Sequence, residues 1–173
     1  MAADEQDDVR FMERALQQAR IAVAGGQTPF GAVVVDERGR VLGEGHNTVR
    51  ADLDPTAHAE VVAIRRAWRH TGSWQALAGS TLYSTCEPCL LCSFVITQIG
   101  FGRVVYAARG TDVPGYTPLL GADLAEAAVW VNAQPDWAPL DVVGDFMRDR
   151  ALETITAFPW AQARTRAPLE RSP

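Results

Sequence analysis

The chain has 173 residues, 47% hydrophobic and 21% charged, an ordinary composition for one domain with a buried core. A formal net charge of −5 argues against a broad phosphate-binding face, so no nucleic-acid partner is expected. No apolar run reaches the roughly 18 residues needed to span a bilayer, residues 2–8 are acidic rather than leader-like, and three closely spaced cysteines make no disulfide framework, so a cytoplasmic protein without a membrane partner is expected.

Residues 8–24 read as an amphipathic helix, with Val9, Met12, Leu16, Ala19 and Val23 at helical spacing and Gly25-Gly26 as its stop. Two apolar stretches, 30–35 and 40–47, flank the turn chemistry of Asp36-Glu37-Arg38-Gly39 and predict a β-hairpin. Residues 48–57 form a loop closed by Asp54-Pro55. Asp as N-cap and Pro at N1 predict a helix from about Thr56 to His70, burying Val61, Ile64, Ala67 and Trp68. A strand follows over 80–85. Pro88 then opens a helix carrying Cys89, Cys92, Val95, Ile96 and Ile99 and ending at Gly100, and the next strand covers 103–107.

Beyond that point a loop over 109–121 precedes a helix over 123–131, a strand over 140–147 and a helix over 148–163 interrupted near Pro159. Residues 164–173 have little to bury and read as a flexible tail to a single domain over 1–163. The element order predicts an α/β fold, a mixed sheet covered by helices on both faces.

Two stretches carry chemistry. Pro55-Thr56-Ala57-His58-Ala59-Glu60 supplies an imidazole and, two residues on, a carboxylate. Thr85-Cys86-Glu87-Pro88-Cys89-Leu90-Leu91-Cys92 supplies Cys89 and Cys92 at i and i+3. Cysteines so spaced on a first helical turn face the same way and can grip one metal, while the helix N-terminus favours their thiolates. With His58 they make three ligands of one Zn²⁺ and leave the fourth tetrahedral position open for water. Glu60 diverges from His58 and is left to move protons. Taken alone, the cysteines also suit buried small hydrophobes, a redox pair or an iron–sulfur cluster. Pro88 lies outside the pair, however, no fourth Cys exists, and the coincidence of His-x-Glu with Pro-Cys-x-x-Cys points to zinc. Cys86, His46 and His70 read as structural.

From about residue 30 to 108 these motifs resemble the cytidine deaminase superfamily, its free-base deaminases more than its nucleoside deaminases. Asp54-Pro55-Thr56-Ala57-His58-Ala59-Glu60 and Cys86-Glu87-Pro88-Cys89 look most like bacterial guanine deaminases, as do Tyr106-Ala107-Ala108 and Thr111-Asp112. Phe158-Pro159-Trp160 is similar to the aromatic tail that in those enzymes swaps between subunits and covers the site. The resemblance implies a three-layer α/β/α sandwich around a five-stranded mixed sheet. It also implies one zinc per subunit, a homodimer with residues 140–163 open to exchange, and hydrolysis of an amino-substituted ring to a carbonyl with release of ammonia.

It implies too that Asn47 bonds the edge of the base and that the backbone at Ala59 adds a donor. Phe30 is a stacking face or core, Trp160 a lid or a helix anchor, and Asp112 a polar contact or a turn cap. Guanine is the first substrate, with cytosine or an s-triazine as alternatives. Leu90-Leu91 stands where guanine-type enzymes carry Pro-Met, and no acid follows Thr111-Asp112 until Asp123. A tRNA adenosine deaminase shares the motifs but must hold a polyanion, and a non-catalytic zinc module would close the fourth position with a protein ligand.

Overall fold

The run Gly31–Val35 is buried at every position rather than alternating, because it lies inside a sheet covered on both faces. In the computed structural model, which describes residues 5–120 and 123–163, it is strand β1 of five. The elements are α1 (Glu5–Ala24), β1, β2 (Val41–His46), α2 (Val49–Asp52), α3 (Ala59–Thr71), β3 (Thr81–Cys86), α4 (Leu90–Ile99), β4 (Arg103–Ala108), α5 (Asp123–Asn132), β5 (Asp141–Val143), α6 (Arg148–Ala157) and α7 (Trp160–Ala163). The sheet order is β2-β1-β3-β4-β5. β1 runs antiparallel to both β2 and β3, while β3, β4 and β5 are parallel.

Two apolar cores form the layers. On one face Ala63, Ile64 and Ala67 of α3, Ile96 of α4 and Leu124 of α5 pack on Val34, Leu82 and Val104. On the other, Met12 and Leu16 of α1 and Ile155 of α6 pack on Val33, Tyr83 and Val105. The three-layer arrangement expected from the sequence is present.

α3 sits unusually close to β2. A Cβ on Gly43 would lie 2.4 Å from the Ala63 carbonyl oxygen, and one on Gly45 would lie 2.4 Å from the Ala63 nitrogen. Glycine on the strand and alanine on the helix let backbone approach backbone.

Several expectations shift. The buried stripe of α1 is Phe11, Met12, Ala15, Leu16, Ala19 and Ala22, leaving Val9 and Val23 exposed. α3 starts at Ala59 rather than near Thr56, because the Asp54 carboxylate accepts the Thr56 N–H and hydroxyl and makes a tight turn before the helix. Trp68 is 47% exposed and Val61 only half-buried, since Val62 and Ala63 face the sheet instead. A helical turn, α2, occupies part of the expected loop. β5 is only Asp141–Val143, because Asp145 and Met147 take left-handed backbone conformations that an extended strand cannot include. The break between α6 and α7 falls where Phe158, preceding Pro159, is extended (φ −74°, ψ 136°). The expected tail over 164–173 lies outside the described residues. No helix among the described residues is long and apolar enough to cross a membrane.

Gly45→Ala is expected to lower unfolding stability by about 1–3 kcal/mol, the cost of inserting a methyl group against rigid backbone. Urea denaturation checks this, and an unchanged midpoint would contradict the close approach.

Candidate metal centre and cavity

β3 ends at Cys86, and the Glu87 N–H bonds the Ala108 carbonyl (2.8 Å), pinning the turn that leads into α4 against β4. Cys89 is the N-cap of α4 and His58 the N-cap of α3. Both have extended backbone, and neither side chain caps its own helix. Instead the two side chains converge. Cys89 Sγ lies 3.5 Å and Cys92 Sγ 3.6 Å from His58 Nδ1, and the sulfurs are 3.8 Å apart. A tetrahedral zinc site with bonds of about 2.3 Å to sulfur and about 2.0 Å to nitrogen has edges of about 3.8 Å between sulfurs and about 3.5 Å between sulfur and nitrogen. The three side chains therefore fit one zinc ion, and they are the group among the described residues whose donor atoms cluster this way.

Electrostatics within the triad are uneven. A hydrogen bond shared with Cys92, helped by His58 and opposed by burial, brings the Cys89 thiol down to about 4. That same bond, together with burial, pushes the Cys92 thiol well up. Hydrogen bonding to Cys89, against the pull of burial, raises His58 above the ordinary imidazole value. Glu60 is 7% exposed, and its burial lifts it above the usual carboxylate range despite the opposing influence of His58. Ser84 Oγ lies 3.4 Å from Glu60 Oε1 while donating to the Cys86 carbonyl at 2.7 Å.

These groups border a cavity of about 390 Å³. His58, Cys89 and Glu60 line it, and so do Asn47, Ala59, Phe30 and Trp160. The Asn47 side-chain oxygen accepts the Val49 N–H (3.3 Å). Trp160 donates its indole N–H to the Ile155 carbonyl (2.8 Å), stands edge-on to Phe158 and tilts against Phe30 at 6.1 Å. It is thus both an anchor of the C-terminal segment and part of the cavity wall.

Of the two roles expected for Asp112 the turn cap is present: it is not among the lining residues, and it closes the turn over Gly110–Asp112. Its carboxylate receives both guanidinium arms of Arg148 (2.5 and 2.9 Å) and the Arg109 N–H (2.8 Å), which hold it below the usual carboxylate range. Cys86, read as structural, does bond the Arg109 carbonyl (3.7 Å) but also reaches the cavity. His46 meets Gln18 and stays out of the centre. Sequence reasoning missed Arg50, Glu87 and Tyr116 as lining residues. Glu87 lay inside the cysteine motif, but Tyr116 sits in a Gly- and Pro-rich loop with no periodic signal.

Comparison with known proteins agrees with this geometry. A guanine deaminase from Bacillus subtilis is 46% identical over 103 residues, 59% of this chain and 65% of that protein. A tRNA-specific adenosine deaminase from Aquifex aeolicus is 39% identical over 98 residues, 57% of this chain and 64% of that one. The chain thus spans just under two thirds of the length of either relative. A solved structure from work on A-to-I editing by tRNA:A34 deaminases superposes with a TM-score of 0.69 at 33% identity, covering 84% of this chain and 99% of that one. Residues 5–108, more than half of the chain, match the cytidine and deoxycytidylate deaminase zinc-binding region, and the protein belongs to that family.

Proposed function

We propose that the chain is a zinc-dependent hydrolytic deaminase of free amino-substituted heterocyclic bases, with guanine as its first substrate. The observation that best supports this is Glu60, a buried carboxylate beside the triad and facing a cavity walled by Phe30 and Trp160. Zinc bound by His58, Cys89 and Cys92 supplies Lewis-acid activation of a water molecule. Glu60, with its proton affinity raised by burial, takes a proton from the attacking water and passes it to a ring nitrogen. As the carbon–nitrogen bond breaks, Glu60 takes the proton of the newly added hydroxyl and gives it to the departing amine, so that the ring carbonyl forms and ammonia leaves. Asn47 meets the edge of the base, the backbone at Ala59 adds a donor, Phe30 stacks and Trp160 excludes water. Asp112 serves the loop through Arg148 rather than the base.

A free base suits a cavity of about 390 Å³ with Trp160 in its wall and a chain of net charge −5. The similarity to the Bacillus guanine deaminase supports the same choice. A second reading, deamination of adenosine in tRNA, draws support from the Aquifex relative, the tRNA:A34 deaminase structure and Arg50 at the cavity. The exposed Leu91 and Phe94 of α4 and Val129 and Trp130 of α5 suit burial against a second copy, hence a homodimer.

Ammonia release measured across guanine, cytosine, aminotriazines, adenine, nucleosides and a tRNA anticodon stem-loop separates the substrates. Turnover of the stem-loop alone would reverse the preference. Glu60→Gln is expected to retain zinc while turnover falls by about 10²–10⁴-fold, the usual worth of a general acid–base; near-normal release would remove Glu60 from its role.

Zinc binding at neutral pH is expected to release protons, because the ligands bind metal deprotonated while the Cys92 thiol and the His58 imidazole both have raised proton affinity in the metal-free site. Apparent affinity then falls as pH drops and His58 is increasingly protonated. Calorimetry in buffers of different ionisation heat measures the release, and a proton-neutral titration would count against this ligand set.

A further inference from the structure

Asp123, at the start of α5, is 2% exposed, and each of its carboxylate oxygens is engaged. Oδ2 accepts the Tyr116 hydroxyl (2.8 Å) and the Leu90 N–H (3.1 Å), and Oδ1 accepts the Leu120 N–H (2.8 Å). Leu90 is the first residue of α4, directly after Cys89. A helix's first-turn N–H groups need acceptors, and the N-cap side chain is the usual source. Here the N-cap is Cys89, whose sulfur lies within the metal triad and gives no cap bond. Asp123, from a different helix, supplies an acceptor for the first N–H of α4.

The same oxygen fixes a wall of the cavity. Tyr116 lines it, and its ring rests on Gly110 so closely that a Cβ there would lie 2.9 Å from the ring. The phenol is thus held between a side-chain-free position and a buried carboxylate. We propose that Asp123 is a positioning residue for both halves of the site: it caps the cysteine helix from outside, setting Cys89 and Cys92 for zinc, and it fixes Tyr116 as a specificity-determining wall for the substrate ring. The Tyr116 half rests on the deaminase function proposed above; the zinc half does not.

The test compares the full-length wild type with Asp123→Ala, Asp123→Asn and Tyr116→Phe. Zinc retention is read by competition with a chromophoric chelator. Asp123→Ala is expected to bind zinc about 10–100-fold more weakly, the usual effect of removing a group that orients a metal ligand. Asp123→Asn keeps an oxygen for the Leu90 N–H and is expected to recover part of that loss. Tyr116→Phe is expected to bind zinc as the wild type does but to raise KM severalfold, with kcat little changed, for whichever base the wild type turns over. Equal zinc affinity in wild type and both Asp123 variants would overturn the cap, and an unchanged KM in Tyr116→Phe would overturn the wall. If the wild type turns over no base, the deaminase reading fails, while the zinc ranking still decides the role of Asp123.

Discussion

His58 and Cys89 occupy the N-cap positions of two different helices, and both turn their side chains away from capping and toward one point. The centre depends on this choice. Each helix presents its partially positive N-terminus, with unsatisfied N–H groups, to the space where the thiolates and Glu60 gather. That field favours sulfur as thiolate and lowers the cost of keeping a carboxylate in an almost water-free place. The bond between the sulfurs acts on them unequally, lowering the Cys89 thiol and, with burial, raising that of Cys92. A single centre is possible because β3 leads directly into α4, while the stretch after β2 brings α3 back across that strand.

Much of this was legible in the sequence because it is local. The His-x-Glu and Pro-Cys-x-x-Cys motifs are each short enough to be read from spacing, and their coincidence in one chain points to a shared metal. The hairpin, α4 and β4 follow from short apolar runs punctuated by glycine, and Gly100 closes α4 in the left-handed conformation. Legibility ended where a side chain's partner was distant in the chain. Asp54 looked like a helix cap but serves Thr56 and also meets Arg65. Asp112 read as a polar contact or a turn cap, and it caps the turn while also holding Arg148, 36 residues later. Trp68 has the hydrophobicity of a core residue, yet its turn of α3 meets the sheet through Ala67. Tyr116 and Asp123 had no local pattern to announce them.

The C-terminal segment joins the site through polar contacts as well as aromatic ones. Arg148, at the start of α6, grips Asp112 with two guanidinium nitrogens, and Arg109 pairs with Asp145 in the same way. The first of these pairs is the more sheltered, so screening by solvent weakens it less. Through it the loop bearing Tyr116 and the helix leading to Trp160 are tied into one frame around the cavity. Two of its walls are thus supplied by parts of the chain that follow the zinc-binding motifs.

The glycines of β2 bear on how such a protein could diversify. Where a helix rests on a strand through side chains, swapping one side chain for another moves the helix and whatever it carries. At Gly43 and Gly45 α3 meets the strand through backbone atoms, so any side chain added there would have to force the helix away at a cost to the fold. The depth of the reactive floor is in effect a fixed dimension. New substrates would have to be accommodated by remodelling the rim, and the reaction chemistry would remain the same.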